Sequence, residues 1–442
     1  MEYIDIFDEN NNPTGEIKEK NMAHEDGNFH RTAHIWIIND KKELLLQKRS
    51  ATKKSHPNCW DISGAGHIKA GEDIIDGAIR ELKEELGVVE TEKGLEYIAT
   101  IKSTKNPKNM EFQYVYLLKC NKSIEEYTFE DNEVSEVKYV FYKDLEKMVA
   151  DKVDGLLIHD EEYKILFETI NSHLINQLDR FNINSNIGIA ITENKKYDTF
   201  GTVYSKLISD FWYNYIYSVK ANNENELNEI LSLAEYKMKE QYNREFCVAI
   251  LPTDKYIYDN REKLFDKDKY ECISNEIWQV YTNFENVKNI ITNCELNITL
   301  EKATDMNLFG NIMYQCFATG NSDDPYGELD TGYKEAYRDY KKVDNEYEQE
   351  FYVIKNENTI VGVVNAVYDK EIFGIYGLAV KSEYRNKGIG KEVSKQLLQR
   401  CKDLNRKIAF LQTEKGFYPE QVYKKIGFKE ICTEYYYTKK KV

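Results

Sequence analysis

Between residues 74 and 86 apolar residues fall at Ile75, Ala78, Ile79, Leu82 and Leu86, the spacing of one face of an amphipathic helix. Around it, HRTAHIWIIND, ELLLQKRS, CWDISGAGHI, EFQYVYLLKC and EVKYVFYKDL read as strands separated by loops. HDEEYKILFETINSHLINQL puts Tyr163, Leu166, Ile170, Leu174 and Leu178 on one stripe, a closing helix, and the polar NQLDRFNINSN (176–186) suits a linker. Beyond it, NIGIAIT and EFCVAILPTD predict buried strands flanking a helix over NENELNEILSLAEYKMKEQY, and FWYNYIYSV predicts a strand or core segment. The C-terminal pattern is a hairpin or meander in FYVIKNENTIVGVVNAVYD and a strand in EIFGIYGLAV ending at Val380. A helix with Val393, Leu397, Leu398 and Cys401 on its apolar face follows, then a strand in KIAFLQT and a short helix in YPEQVYKKIGF. Mixed helices and strands over 442 residues predict an α/β (α+β) chain of two or three domains.

The polar face of the first helix raises a chemical question. Glu81, Glu84 and Glu85 are related by i, i+3 and i+4, so their carboxylates share one side, where like charges cost a few tenths of a kcal/mol per pair. A hard divalent cation reverses the sign of that repulsion, because Mg²⁺ prefers carboxylate oxygens and keeps waters for a phosphate to replace. A merely charged surface is the commoner origin of a Glu-rich helix.

The surrounding residues favour the cation. Gly66, Glu72, Arg80, Glu81, Glu84, Glu85 and Gly87, with apolar Leu82 and Val88, match every fixed position of the Nudix box, so the segment resembles the loop-helix-loop of Nudix pyrophosphohydrolases. The resemblance implies an α/β/α sandwich over residues 1–177. It also implies Mg²⁺ (or Mn²⁺) held by Gly66, Glu72, Glu81, Glu84 and Glu85, catalysis through Glu84, Glu85 and Arg80, and a small-molecule diphosphate substrate. Sequence around the box, AHEDGNFHRTAHIWII and LLLQKRSATKKSHPNCWDISGAGHIKAGE, resembles the branch that contains isopentenyl-diphosphate isomerase. The isomerases carry a catalytic cysteine just before the Gly66-His67 pair; here Ala65 stands there, which removes the thiol and shifts the expectation to hydrolysis. His24, His30 and His67 fall at or near isomerase metal-ligand positions, and Gln113 replaces an acidic residue expected after Glu111. Whether these histidines form a second metal site or only bond loops stays open at this level.

Composition narrows the partners. The chain carries a net charge of -16, which disfavours non-specific nucleic-acid binding, and 34 tyrosines without interleaved basic residues. Charged residues make up 31%, and no apolar run is long enough to span a bilayer; MEYIDIFDENNNPTGEIKEK lacks a secretory signal. Eight cysteines scattered singly, without zinc spacing, suit a reducing cytoplasm. The expected partners are small molecules, with no nucleic acid and no membrane.

In KSEYRNKGIGKEVSKQLLQRC, Arg385, Gly388 and Gly390 spell R-x-x-G-x-G between a strand and a helix, where backbone can approach a diphosphate and helix N–H groups bind its charge. Strand, glycine loop, helix, strand and then Y-x-x-x-G-F resemble the GNAT N-acetyltransferase superfamily over residues 296–442. That resemblance implies acetyl-CoA on Val380, Arg385, Asn386, Lys387, Gly388, Ile389, Gly390 and Lys391, and Tyr423 as the acid that protonates the CoA thiolate. Gly416 and Pro419 stand where the family often has Asn and Ala. The acceptor, a small amine or peptide, would meet Asp323, Asp324, Glu328 and Asp330, unless these form only a solvated loop. Residues 187–295 faintly resemble the reduced first half of a tandem GNAT protein, and a plain structural or dimerisation domain fits equally.

Two readings of the whole chain follow. One is a bifunctional cytoplasmic enzyme, hydrolysing an organic or nucleoside diphosphate and acylating an amine from acetyl-CoA; the other is a sensor in which one domain binds its ligand without turnover. With Ala65 in place of the thiol, isopentenyl diphosphate incubated with the protein and Mg²⁺ or Mn²⁺ is expected to show no double-bond migration. NMR detection of the allylic isomer would overturn that expectation.

Overall fold

The computed structural model describes residues 2–129, 132–317 and 330–440. The chain divides into two compact units, Met1–Asn171 and Ser172–Val442.

In the first unit a ribbon of β1 (Tyr3–Phe7) and β2 (Pro13–Glu19) leads into α1 (Lys20–Glu25). Then come β3 (His30–Ile38), β4 (Glu43–Arg49), β5 (Trp60–Asp61), β6 (Gly64–His67), α2 (Ile74–Leu86), β7 (Leu95–Asn106), β8 (Asn109–Lys119), β9 (Val134–Phe141) and α3 (Tyr142–Ala150). The strands form a seven-stranded mixed sheet ordered β5-β4-β3-β8-β7, with β6 on β3 and β9 on β4. Alternation along β3 sorts its side chains: Ala33, Ile35 and Ile37 pack with Ala78, Leu82 and Leu86 of α2, while Trp36 meets Tyr163 of α4 (Asp160–Ser185) as tilted rings 5.2 Å apart. This is the expected helix-sheet-helix layering.

Two local expectations fail for reasons of burial. The segment read as a linker continues α4 to Ser185, because Leu178, Phe181 and Ile183 are buried and Phe181 meets Phe410 and Tyr347 edge-on. NIGIAIT forms no strand; the N–H groups of Ile189, Ala190 and Ile191 converge on the Asn186 carbonyl, so its apolar residues are buried from a turn.

The second unit contains β10 (Glu193–Lys196), β11 (Gly201–Tyr204), β12 (Tyr215–Tyr217), α5 (Glu224–Glu235), β13 (Cys247–Ile250), α6 (Lys255–Leu264) and β14 (Tyr270–Tyr281). It continues with β15 (Ile298–Lys302), α7 (Met306–Phe317), α8 (Gly332–Arg338), β16 (Glu348–Asn356), β17 (Thr359–Tyr368) and β18 (Ile372–Val380). The last elements are α9 (Ile389–Asp403), β19 (Ile408–Glu414), α10 (Tyr418–Ile426) and β20 (Lys429–Lys439). All its strands join one 11-stranded sheet, β10-β11-β12-β13-β20-β14-β19-β18-β17-β16-β15. The order β12-α5-β13-α6-β14 is repeated as β18-α9-β19-α10-β20, and both β12-β13 and β18-β19 are parallel. Each repeat gives its last strand to the other: β14 pairs with β19, β20 pairs with β13, and the two lie antiparallel side by side.

The sheet therefore runs straight across residue 295, so residues 187–295 share one compact unit with residues 296–442 and repeat their order of strands and helices rather than forming a separate body. Its β12-α5 loop, residues 218–223, has no glycine. Among the described residues no helix is long and apolar enough to cross a membrane.

Candidate functional site

The Nudix-box residues gather where β6 passes under α2. A Cβ on Gly66 would lie 1.9 Å from the Glu81 carboxyl carbon, so only glycine lets this backbone come so close to the glutamate. Glu85 is buried, taking hydrogen bonds at 3.2 Å from Gln47 Nε2 and from the Ala65 N–H. Burial, then Glu81 beside it, raises its carboxyl well above the usual range; burial also raises Glu81. Arg80 bonds Glu72 at 2.8 and 2.9 Å, Glu81 at 2.5 Å, Glu84 at 3.2 Å and the His67 carbonyl at 2.9 Å. Both Glu72 oxygens are committed to Arg80, and one also takes the Lys69 N–H, so Glu72 supports the arginine rather than reaching a metal. Glu72, Glu81 and Glu84 surround one guanidinium, with Lys69 3.9 Å from Glu84, and the hard, anionic set of Glu81, Glu84 and Glu85 fits Mg²⁺ or Mn²⁺.

A second group lies on the other side of β6. The Nε2 atom of His24 is 3.3 Å from that of His30 and 3.2 Å from that of His67, and Glu111 Oε1 is 3.7 Å from His30 Nε2. Among the described residues this trio is the one compact set of three potential ligands. Burial pushes His24 below its usual value and His67 down to about 3, which keeps both as neutral donors. Three imidazoles and a carboxylate are a donor set that fits a transition-metal ion.

In the second unit, β18 and β19 pair only at Ile372, Phe373 and Gly374 and then diverge, opening a wedge toward Val380 and Glu414. The glycine loop lies at one side of it. Gly388 has φ +78°, and a Cβ there would meet the Thr292 and Asn293 carbonyls at 2.9 and 3.0 Å, whereas a Cβ on Gly390 would meet nothing within 4 Å. Arg385 does not face outward; its guanidinium bonds the Val380 carbonyl at 3.0 Å and the Cys316 carbonyl, tying the loop to the strand end. Lys387 bonds the Glu383 carbonyl, and Asn386 takes a left-handed conformation that shapes the turn. The N–H groups of the first turn of α9, from Ile389 through Lys391, have no helical acceptors of their own. Tyr423 is buried, its hydroxyl bonds Ser394, and Ser394 bonds the Gly390 carbonyl at 2.7 Å, so the phenol and the loop share one helix turn. Burial raises the phenol to about 12 and keeps it protonated.

Sequence patterns missed the carboxylates that strand exchange aligns. Glu276 of β14 sits in register with Glu434 on one side and Glu414 on the other. Glu276 and Glu434 are buried, and burial raises Glu276 well above its usual range and Glu434 to about 8. Glu276 bonds Ser274 and Glu414, Glu434 takes the Trp278 indole N–H, Gln412 and Tyr436, and Glu414 takes Ser274 and the Asn275 N–H, with no cation among these partners. Of the acidic residues expected at the acceptor, Asp323, Asp324 and Glu328 lie outside the described residues. Asp330 bonds Ser209 and the Gly332 N–H, anchoring a turn. Only register across three strands could have revealed the Glu276 row.

The family model for the NUDIX domain matches residues 28–159, and that for the Acetyltransferase (GNAT) domain matches residues 329–439. The chain is 38% identical over 161 residues to an uncharacterized Nudix hydrolase of Clostridium acetobutylicum, covering 35% of this chain and 77% of that protein. It is 38% identical over 179 residues to Nudix hydrolase 3 of Arabidopsis thaliana, covering 38% of this chain but only 23% of that protein's length. Similarity to an isopentenyl-diphosphate Delta-isomerase of Pectobacterium atrosepticum is 37% over 83 residues, 20% of this chain and 46% of the isomerase. The chain belongs to the Nudix hydrolase family and carries a GNAT acetyltransferase domain after its Nudix domain.

The two loop glycines give separable tests. Gly390→Val adds atoms only in open space, so stability should stay within about 0.5 kcal/mol of wild type, while calorimetric affinity for acetyl-CoA should fall at least about tenfold. Unchanged affinity would remove CoA from this loop.

Proposed function

We propose that the protein is a bifunctional enzyme: a divalent-metal-dependent hydrolase of an organic or nucleoside diphosphate, joined to an acyltransferase that uses acetyl-CoA on an amine. The hydrolase reading rests on one observation, the close approach of Gly66 to Glu81 amid three crowded carboxylates. The Gly66 carbonyl with Glu81, Glu84 and Glu85 would hold Mg²⁺ or Mn²⁺, which when bound polarises the diphosphate and activates water. Arg80, braced by Glu72, aligns Glu81 and Glu84. Glu85, with its raised proton affinity, accepts the proton of the attacking water. His24, His30, His67 and Glu111 would hold a second, softer divalent ion.

In the second unit the first turn of α9 binds the CoA diphosphate, and the wedge between β18 and β19 takes the pantetheine arm and thioester. The amine acceptor approaches the Glu434-Glu276-Glu414 row, where buried carboxylates without a cation favour an ammonium group and can take its proton. Tyr423 then gives its proton to the departing thiolate.

Glu85→Gln keeps size while removing the base and a negative ligand. Turnover of a nucleoside diphosphate derivative should fall by several orders of magnitude. The melting temperature should hold or rise, because a neutral amide relieves burial and the repulsion from Glu81; undiminished hydrolysis would sink the assignment. Tyr423→Phe should leave acetyl-CoA affinity intact and slow thiol release with a panel of amines roughly a hundredfold; full-rate release would exclude Tyr423 as the acid.

A further inference from the structure

On one face of β6, β3 and β8, strand register stacks side chains in rows. His30 lies beside Glu111, Thr32 between His67 and Gln113, and His34 between Ala65 and Val115. The first row belongs to the histidine centre, but nothing in the hydrolase chemistry above uses Thr32 or His34. Thr32 is 3% exposed, and among the described residues its hydroxyl has no hydrogen-bond partner. A buried hydroxyl left unpaired is a standing cost to the fold.

His34 is the next residue on that face, and it is held by an unusual set of neighbours. Its Nδ1 lies 2.8 Å from Glu162 Oε2, and the same carboxylate takes the Trp36 indole N–H at 2.7 Å. His159 stands edge-on at 6.0 Å, its Nε2 on Asp61 at 2.9 Å, and Asp61 also takes Arg49. Burial alone would push His34 down, yet Glu162 beside it, with Glu111 and Asp61 further off, holds it up to about 9. The ring therefore carries both protons at neutral pH, with Nδ1 engaged by Glu162 and the Nε2–H left to donate. Beside His34 the β6 side chain is only the methyl of Ala65, and Ala65, His67 and Gln113 are half-buried, so this face is not wholly closed to solvent.

We propose that this face is a specificity subsite for the organic half of the diphosphate substrate, and that it takes a hydroxylated, hydrogen-bonding group such as a sugar rather than a hydrocarbon chain. A sugar hydroxyl pairs the Thr32 hydroxyl and accepts from His34. A hydrocarbon laid on the same atoms would seal both polar groups away from water without a partner, the asymmetry by which polar sites reject apolar analogues. The inference deepens the hydrolase reading and rests on it.

Thr32→Val is the deciding variant, since it keeps the shape and removes a hydroxyl that bonds nothing in the fold. The probes are UDP-glucose and dimethylallyl diphosphate, each with Mg²⁺. Wild type should favour UDP-glucose by at least about tenfold in kcat/KM, and Thr32→Val should lose about tenfold on UDP-glucose through KM, with kcat little changed. Its melting temperature and its rate on dimethylallyl diphosphate should hold or rise, and Thr32→Ser should restore UDP-glucose. An unchanged KM for UDP-glucose in Thr32→Val, or a wild-type preference for the prenyl probe, would overturn the subsite. If wild type hydrolyses neither probe, the hydrolase reading fails, and calorimetry with UDP-glucose decides the subsite separately. In the Glu85→Gln background, about tenfold weaker binding on adding Thr32→Val supports it, and equal or undetectable binding overturns it.

Discussion

Carboxylates taken out of water without matching cations are the costliest feature of this protein, and each unit is built around such a set. Burying one ionised carboxylate costs several kcal/mol unless it is paired or gives up its charge. In the first unit Arg80 answers Glu72, Glu81 and Glu84, with Lys69 3.9 Å from Glu84, and Glu85 is left with amide donors. In the second, Glu276 lies between Glu434 and Glu414 with no cation among its hydrogen-bond partners. In the proposed function these two sets receive a cation from outside the chain, a metal in one and an ammonium group in the other.

The scaffolds that hold these charges differ. A single helix turn creates the first set, because residues one, three and four apart along α2 cannot avoid sharing a side, and Gly66 lets β6 pass beneath them. Strand exchange creates the second set. By placing β14 between β19 and β20, the two half-sheets bring Glu276 beside glutamates more than a hundred residues away in sequence. The same exchange fixes the outer edge of the wedge between β18 and β19, a feature that neither half possesses by itself.

The first unit also carries its charges in layers. The glutamates lie on the α2 side of β6, and the histidines, Thr32 and His34 on the opposite side, since strand alternation sends successive residues to opposite faces. Ala65 sits where these layers meet. The thiol that the isomerases carry is absent there, and the side chain facing His34 is only a methyl.

Local periodicity and short motifs determined much of this molecule. The α2 pattern, the spacing of Gly66, Glu72, Arg80, Glu81, Glu84 and Glu85, and the loop from Arg385 to Gly390 before α9 were all legible, because each depends on residues within a few turns of one another. Tertiary structure decided the rest. The linker expected at 176–186 became helix once Phe181 found Phe410, and the expected division near residue 295 vanished once β14 was inserted between β19 and β20. His34 was silent in sequence because its meaning depends on Glu162, which lies 128 residues on. Thr32 was silent because what matters is the partner it lacks. Pairings between distant strands and helices are set by the burial of whole faces, and no local pattern encodes which distant face will arrive.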